Sequence, residues 1–252
     1  MRGDRRAGVR GLSAIDVEGL NFTYPDGKAA LRDFRLKVTA GETIGLVGPN
    51  GAGKTTLFLC LSGVLSASTG ALQVAGLDPR KPVDRKLLPA HVGIVFQNSD
   101  DQLFSTTIGD DVAFGPLNLG LPPDEVRRRV AEALARVGLA GFEERVPFHL
   151  SGGEKRRAAL AGVLAMQPEI LLLDEPSMFL DPRGRRELIG LLNELAITKI
   201  IASHDLEMIL DTCRRIAVLD QGRLITEGPA EQVLSDRALM EAHGLEVPHR
   251  LR

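Results

Sequence analysis

The residues best suited to chemistry stand in one short run: Gly48, Pro49, Asn50, Gly51, Ala52, Gly53, Lys54, Thr55 and Thr56. Their order fits G-x-x-x-x-G-K-[ST], with Gly48, Gly53, Lys54 and Thr55 at the fixed positions. Glycines let a backbone turn tightly enough for successive N–H groups to face an anion. A helix beginning at the same place adds positive partial charge. Lys54 has the reach for β- and γ-phosphates, and the Thr55 hydroxyl is a natural Mg²⁺ ligand. An apolar run, Thr43 to Val47, precedes the loop and a helix-like run, Lys54 to Leu61, follows it, which is the strand-to-helix setting this loop requires. The reading is a cradle for a nucleoside triphosphate.

A second constellation is ILLLDEP, Ile170 to Pro176. Apolar residues followed by two carboxylates suit a buried parallel strand that opens onto a ligand crevice. Asp174 is placed to hold Mg²⁺, and Glu175 to polarise a water for attack on a γ-phosphate. A third is LSGGEKRR, Leu150 to Arg157. Ser151, Gly152 and Gly153 present free N–H groups at a helix start, a second anion site, and Glu154 falls at the capping-box position relative to Ser151. Taken alone, that stretch is only a well-capped helix.

The elements that must position these groups follow from periodicity. Strand patterns fall at Ala14 to Leu20, Asp33 to Val38, Thr43 to Val47, Ala71 to Val74 and His91 to Phe96, with antiparallel hairpins before Gly41. After Gly48 the alternation of strands and helices predicts a parallel sheet with crossover helices. Further strands are expected at Ile170 to Leu173, Lys199 to Ala202 and Arg215 to Leu219, and helices at Arg183 to Leu195 and Asp205 to Cys213. From Asp100 to Met166 the pattern is helical, and Val126, Val130, Ala133, Leu134 and Val137 share one face behind Pro122 and Pro123. The fold class is α/β: a P-loop core with a mainly parallel sheet, an N-terminal antiparallel β subdomain and a helical insertion over about residues 98–166. Residues 1–12 read as a disordered leader, 13–240 as the domain and 241–252 as a tail.

The 252 residues carry a net charge of −2, which argues against a generally basic, nucleic-acid-coating protein. Cys60 and Cys213 lie in apolar helix-like runs and read as reduced core thiols. No stretch approaches the ~18 apolar residues of a membrane span, and the basic N-terminus lacks the apolar region of a secretory signal. The expectation is a soluble, cytoplasmic chain that reaches a membrane only by docking on another protein. His91, His149 and His243 are scattered and read as non-ligands.

Together the three motifs resemble the ABC ATPases, from about Ser13 to about Arg237. The resemblance implies ATP, with Mg²⁺, bound between two copies arranged head to tail. Ser151 and Gly153 of one copy would then meet the γ-phosphate held by Lys54 of the other. By the same resemblance Gln97 is a Mg²⁺ ligand that senses a membrane partner, His204 contacts the γ-phosphate, Asp181 links the two sites, and Tyr24 stacks on adenine. Asp181 also reads as an N-cap for the helix at Pro182. The chain departs from the commoner EPTxGLD in reading EPSMFLD, with Ser177, Met178 and Phe179. A pair of identical chains would have two competent sites, and a heterodimer with a sibling stays open.

The stretch after Gln97, NSDDQLFSTTIGDDVAFGPLNLGL, is similar to that of energy-coupling-factor importer ATPases. That similarity implies a membrane scaffold subunit, a separate cargo-capture subunit, and a vitamin or a transition-metal ion such as cobalt or nickel as cargo. It places the chain on the cytoplasmic face of the membrane, as a peripheral subunit. The short tail and EPSMFLDPRGRREL resemble the metal-import branch. An ATPase of another transporter class and a soluble, non-transport ABC ATPase remain the alternatives.

Overall fold

A computed structural model describes residues 13–252; the expected leader at residues 1–12 lies outside the described residues. The chain begins with two long antiparallel strands, β1 (Ser13–Thr23) and β2 (Ala29–Thr39). β3 (Thr43–Val47) then runs into the glycine loop and α1 (Lys54–Leu61). β4 (Thr69–Val74), α2 (Pro82–Leu87) and β5 (Val92–Val95) follow. Three helices, α3 (Ile108–Asn118), α4 (Pro123–Arg136) and α5 (Gly152–Leu164), lead to β6 (Ile170–Asp174). The remainder is α6 (Pro182–Glu194), β7 (Thr198–Ala202), α7 (Leu206–Thr212), β8 (Arg215–Asp220), β9 (Arg223–Pro229), α8 (Ala230–Ser235) and α9 (Arg237–Ala242).

The main sheet has the order β5-β6-β7-β3-β8-β9, parallel except for the β8–β9 hairpin. Its central strands are largely apolar because both faces are covered, with Thr198 and Lys199 of β7 and Asp174 of β6 as buried polar exceptions. Alternate residues feed two cores. Leu171, Leu173 and Ile201 pack toward α3, α4 and α5. Ile170, Leu172 and Ile200 pack toward α1 and the small sheet. Cys60 and Cys213 are both buried as free thiols, and burial pushes the Cys60 thiol up to about 12.

The small sheet corrects one expectation. β4 lies after the glycine loop, yet it joins β1 antiparallel in the order β2-β1-β4 and contributes nothing to the parallel sheet. Alternation explains why: only Leu72 and Val74 of β4 are buried, so this strand is one-sided and suits an antiparallel sheet with one wet face. The expected continuous helical pattern between Asp100 and Met166 is also broken, since residues 137–151 hold only a short 3₁₀ turn at Pro147–His149. The amphipathic face of α4 is as expected, with Val126, Val130, Ala133, Leu134 and Val137 all buried.

Candidate functional site

Four neighbouring strands, β5, β6, β7 and β3, deliver the candidate residues at their carboxyl ends. Open α/β sheets bind ligands at such an edge. Gln97 follows β5, Asp174 and Glu175 end β6, His204 follows β7, and the Gly48–Thr56 loop follows β3. Gln97, Asp174, Glu175, His204 and residues 50–56 of the loop line a cleft of about 520 Å³ together with Tyr24, a usual size for a small-molecule site.

The loop itself is set by close backbone approaches. A Cβ on Gly48 would fall 1.9 Å from the Leu219 carbonyl oxygen, and one on Gly53, at φ 112°, would fall 2.5 Å from the Ala30 oxygen. Neither neighbour is a side-chain tip that could swing away. Gly48→Ala is therefore expected to displace the loop from β8, cost about 1–3 kcal/mol or more, and weaken nucleotide binding at least ~10-fold, the equivalent of 1.4 kcal/mol. Thermal unfolding and a fluorescent-nucleotide titration check both effects.

Lys54 is buried and donates to the Gly48 and Pro49 carbonyl oxygens at 2.6 and 3.2 Å. Burial lowers its pKa, while Glu175 and Asp174 oppose that fall. Thr55 Oγ1 donates to Asp174 Oδ2 at 2.6 Å. Asp174 is buried, which raises its pKa, with the Thr55 hydroxyl and Lys54 pulling it back. The Tyr24 hydroxyl lies 2.9 Å from Thr56 Oγ1, and its ring stands edge-on to Phe22 at 4.9 Å.

Glu175 sits in the left-handed backbone region, at φ 46°, with its N–H on the Ala202 carbonyl at 2.8 Å. A non-glycine residue there costs of order 1 kcal/mol and persists only where its surroundings impose it. Its Oε2 accepts from Ser203 Oγ at 3.2 Å and from the His204 amide at 3.1 Å. Its Oε1 is buried with no hydrogen-bond partner. His204 Nε2 lies 3.5 Å from that oxygen, 3.2 Å from Lys54 Nζ and 2.9 Å from Asn50 Oδ1. One ring nitrogen serves either as donor to Asn50 or as acceptor from Lys54, so the proton on His204 decides which neighbour it holds.

Other candidates lie off this cluster. Gln97 lines the cleft and donates from Nε2 to Met178 Sδ at 3.0 Å. Asp181 caps α6, its Oδ1 accepting from the Gly184 amide at 2.7 Å. Ser151 and Glu154 form the full capping box at the start of α5. Ser151, Gly152, Gly153 and Glu154 are absent from the lining of the cleft, and Ser151 and Gly152 are exposed. His91 and His243 each sit 2.9 Å from a carboxylate, of Glu169 and Asp220. Sequence reasoning missed Ser203, wholly buried behind Glu175; its place beside His204 was the available signal.

The donor set fits Mg²⁺. The Thr55 hydroxyl, Asp174 carboxylate and Gln97 amide oxygen are hard donors on one cleft, and Mg²⁺ takes one or two such groups along with phosphate oxygens. Among the described residues no group of three or more His, Cys, Asp or Glu could hold a metal by themselves, so the ion would rely on the phosphates as well.

A phosphate loop after the central strand, with paired acids two strands away and a side sheet of antiparallel strands, defines a P-loop ATPase of the cassette type. The family of ABC transporters matches over residues 31–178. The chain belongs to that family, as its ATPase. It is 49% identical over 238 residues to the energy-coupling factor transporter ATP-binding protein EcfA of Methanothermobacter thermautotrophicus, covering 93% of this chain and 76% of that protein. The solved structure of cbiO1 from Clostridium perfringens, described as part of the ABC transporter complex cbiONQ, aligns with a TM-score of 0.80 at 38% identity, over 91% of this chain and 94% of that one. A dimeric post-hydrolysis structure of the ATP-binding cassette MJ0796, bound to ADP and Pi, aligns with a TM-score of 0.78 at 25% identity, over 86% and 98%.

Proposed function

We propose that the chain is the ATP-hydrolysing subunit of an energy-coupling-factor importer, peripheral on the cytoplasmic face of a membrane, working in a head-to-tail pair. Lys54 holds the β- and γ-phosphates and the loop N–H groups cradle them. Tyr24 offers a ring face to the base. Thr55, Asp174 and Gln97 would hold Mg²⁺, which when bound neutralises charge on the phosphates. Glu175 takes the proton of the attacking water through Oε1, and His204 contacts the γ-phosphate beside it. Ser151, Gly152, Gly153 and Glu154 of the second copy close the site from outside, with Asp181 linking the two sites. Phosphoryl transfer asks little covalent chemistry of a protein, so these residues act by position and charge. Hydrolysis removes the bridge and the copies part.

The observation that carries the membrane-facing half is an exposed apolar patch just after Gln97. Phe104 and Phe114 meet edge to face at 5.0 Å, both exposed, and Leu117 lies exposed three residues on, on the same side of α3. Exposed apolar clusters of this kind mark protein contact sites. The occupant is a helix of a membrane scaffold subunit, with a cargo-capture subunit beyond it. The cargo is a vitamin or a transition-metal ion, and EPSMFLDPRGRREL, by its resemblance to the metal-import branch, leans to the metal. Phe104→Asp with Leu117→Asp is expected to abolish co-purification with the scaffold subunit. The fold should survive, because exposed positions usually change stability by no more than about 0.5 kcal/mol. Undiminished co-purification would show that the scaffold docks elsewhere, and failure of the unaltered chain to co-purify with it would favour a soluble ABC ATPase or a different transporter class. Among the described residues no helix is long and apolar enough to cross a membrane.

A further inference from the structure

Asp205 follows His204 directly and has every polar atom engaged. Its Oδ1 caps α7, accepting from the Met208 amide at 2.9 Å. Its own amide donates to Ser203 Oγ at 3.0 Å, the hydroxyl that in turn donates to Glu175 Oε2. Its carboxylate is gripped from α6 by a two-pronged fork: Arg185 Nε donates to Oδ2 at 2.5 Å and Arg185 Nη2 to Oδ1 at 2.9 Å. Paired forks of this kind fix geometry as well as charge. Both side chains are 26% exposed, so the pair is only partly screened by water. Burial raises the Asp205 carboxyl, but Arg185, the Met208 amide and the Ser177 hydroxyl outweigh it and the net shift is downward.

Arg185 is fixed in its turn. Its amide donates to the Asp181 carbonyl at 2.9 Å in the capped first turn of α6. The loop from Ser177 to Asp181 is thus joined to Asp205 at its Asp181 end, through Arg185. Within that loop Phe179 is 77% exposed and holds φ 64°. A bulky residue in that backbone region is strained and persists only where its surroundings impose it.

We infer that Arg185 and Asp205 are positioning residues for hydrolysis, locking the loop 177–181 to the backbone that aims His204 and, through Ser203, the Glu175 carboxylate. Contact of the exposed loop with a second copy then bears on the hydrolytic groups through one ion pair. The inference rests on the reading of Glu175 and His204 as hydrolytic residues.

The test uses the full chain and four variants: Arg185→Ala, Arg185→Lys, Asp205→Asn and the double Arg185→Ala/Asp205→Asn. Asparagine keeps the cap acceptor of α7 while removing the charge. Arg185→Ala and Asp205→Asn are each expected to lower kcat about 10- to 100-fold, the scale of a small misplacement at a reacting centre. The ADP dissociation constant and KM for ATP should stay in place. Arg185→Lys should fall between, since a point charge lacks the fork, and the double variant should lose no more than the worse single. Unchanged kcat in the single variants overturns the inference. So do losses that add in the double variant, or a kcat loss tracked by equal losses of ADP binding and thermal stability, which would mark a merely structural pair. Full turnover in Glu175→Gln would be a separate result, against the site reading itself.

Discussion

Glu175→Gln is expected to leave ATP bound and turnover lowered by about 10²- to 10⁴-fold, the usual contribution of a general base. The geometry explains why so conservative a change is severe. Oε2 is occupied by the Ser203 hydroxyl and the His204 amide, both donors. A glutamine must turn its oxygen toward them, which places its NH₂ group where the buried, unpartnered Oε1 now stands. An amide nitrogen there cannot accept a proton from water. Binding survives because Lys54 and the loop amides are untouched, and removing a nearby negative charge does not weaken their hold on phosphate. Phosphate release measures the first effect and calorimetric titration the second. Retained turnover would show that another group handles the water.

Ser151→Arg is expected to spare nucleotide binding by the single chain and to abolish ATP-driven pairing, with turnover falling at least ~10-fold, the equivalent of 1.4 kcal/mol. Ser151 caps α5 through Oγ, accepting from the Glu154 amide at 3.3 Å, so its loss costs about 0.5–2 kcal/mol of stability. That alone leaves the fold standing. The larger effect comes from a long cation on an exposed helix start that, on the head-to-tail reading, must approach a phosphate held by Lys54 of the other chain. The Ser151 segment does not reach its own cleft, so nothing in the single-chain site is disturbed. Light scattering with ATP, in the Glu175→Gln background to prevent turnover, reads the pairing. Pairing that survives the arginine would remove the head-to-tail geometry.

Much of this site was legible in the residues because its chemistry constrains the local sequence. A loop that must face phosphate needs its glycines, and Gly48 and Gly53 are where a Cβ would strike backbone. The buried strand β6 needs unbroken apolar residues before its acids. What stayed hidden depends on contacts distant along the chain. The Arg185 fork joins α6 to a residue in a different turn, and arginines in PRGRREL carry no mark of which one faces inward. β9 escaped notice because, as an edge strand, it buries nothing, its residues alternating exposed and intermediate. Its hairpin turn is Gln221-Gly222, both at positive φ, where Asn-Gly or Asp-Gly would have been the plainer signal. β4 was found but assigned to the wrong sheet, because its place after the glycine loop was weighed above the one-sided alternation that suits an antiparallel sheet.

Mixing two defective chains tests the sandwich most directly. Ser151→Arg keeps its own Lys54 and Glu175, and Glu175→Gln keeps its own Ser151 helix. If ATP lies between copies, the mixed pair contains one site with every working part, and phosphate release must rise well above that of either chain alone. If each copy holds and cuts its nucleotide unaided, the mixture stays at the average of its two components, and the account of a triphosphate shared between two cassettes is wrong.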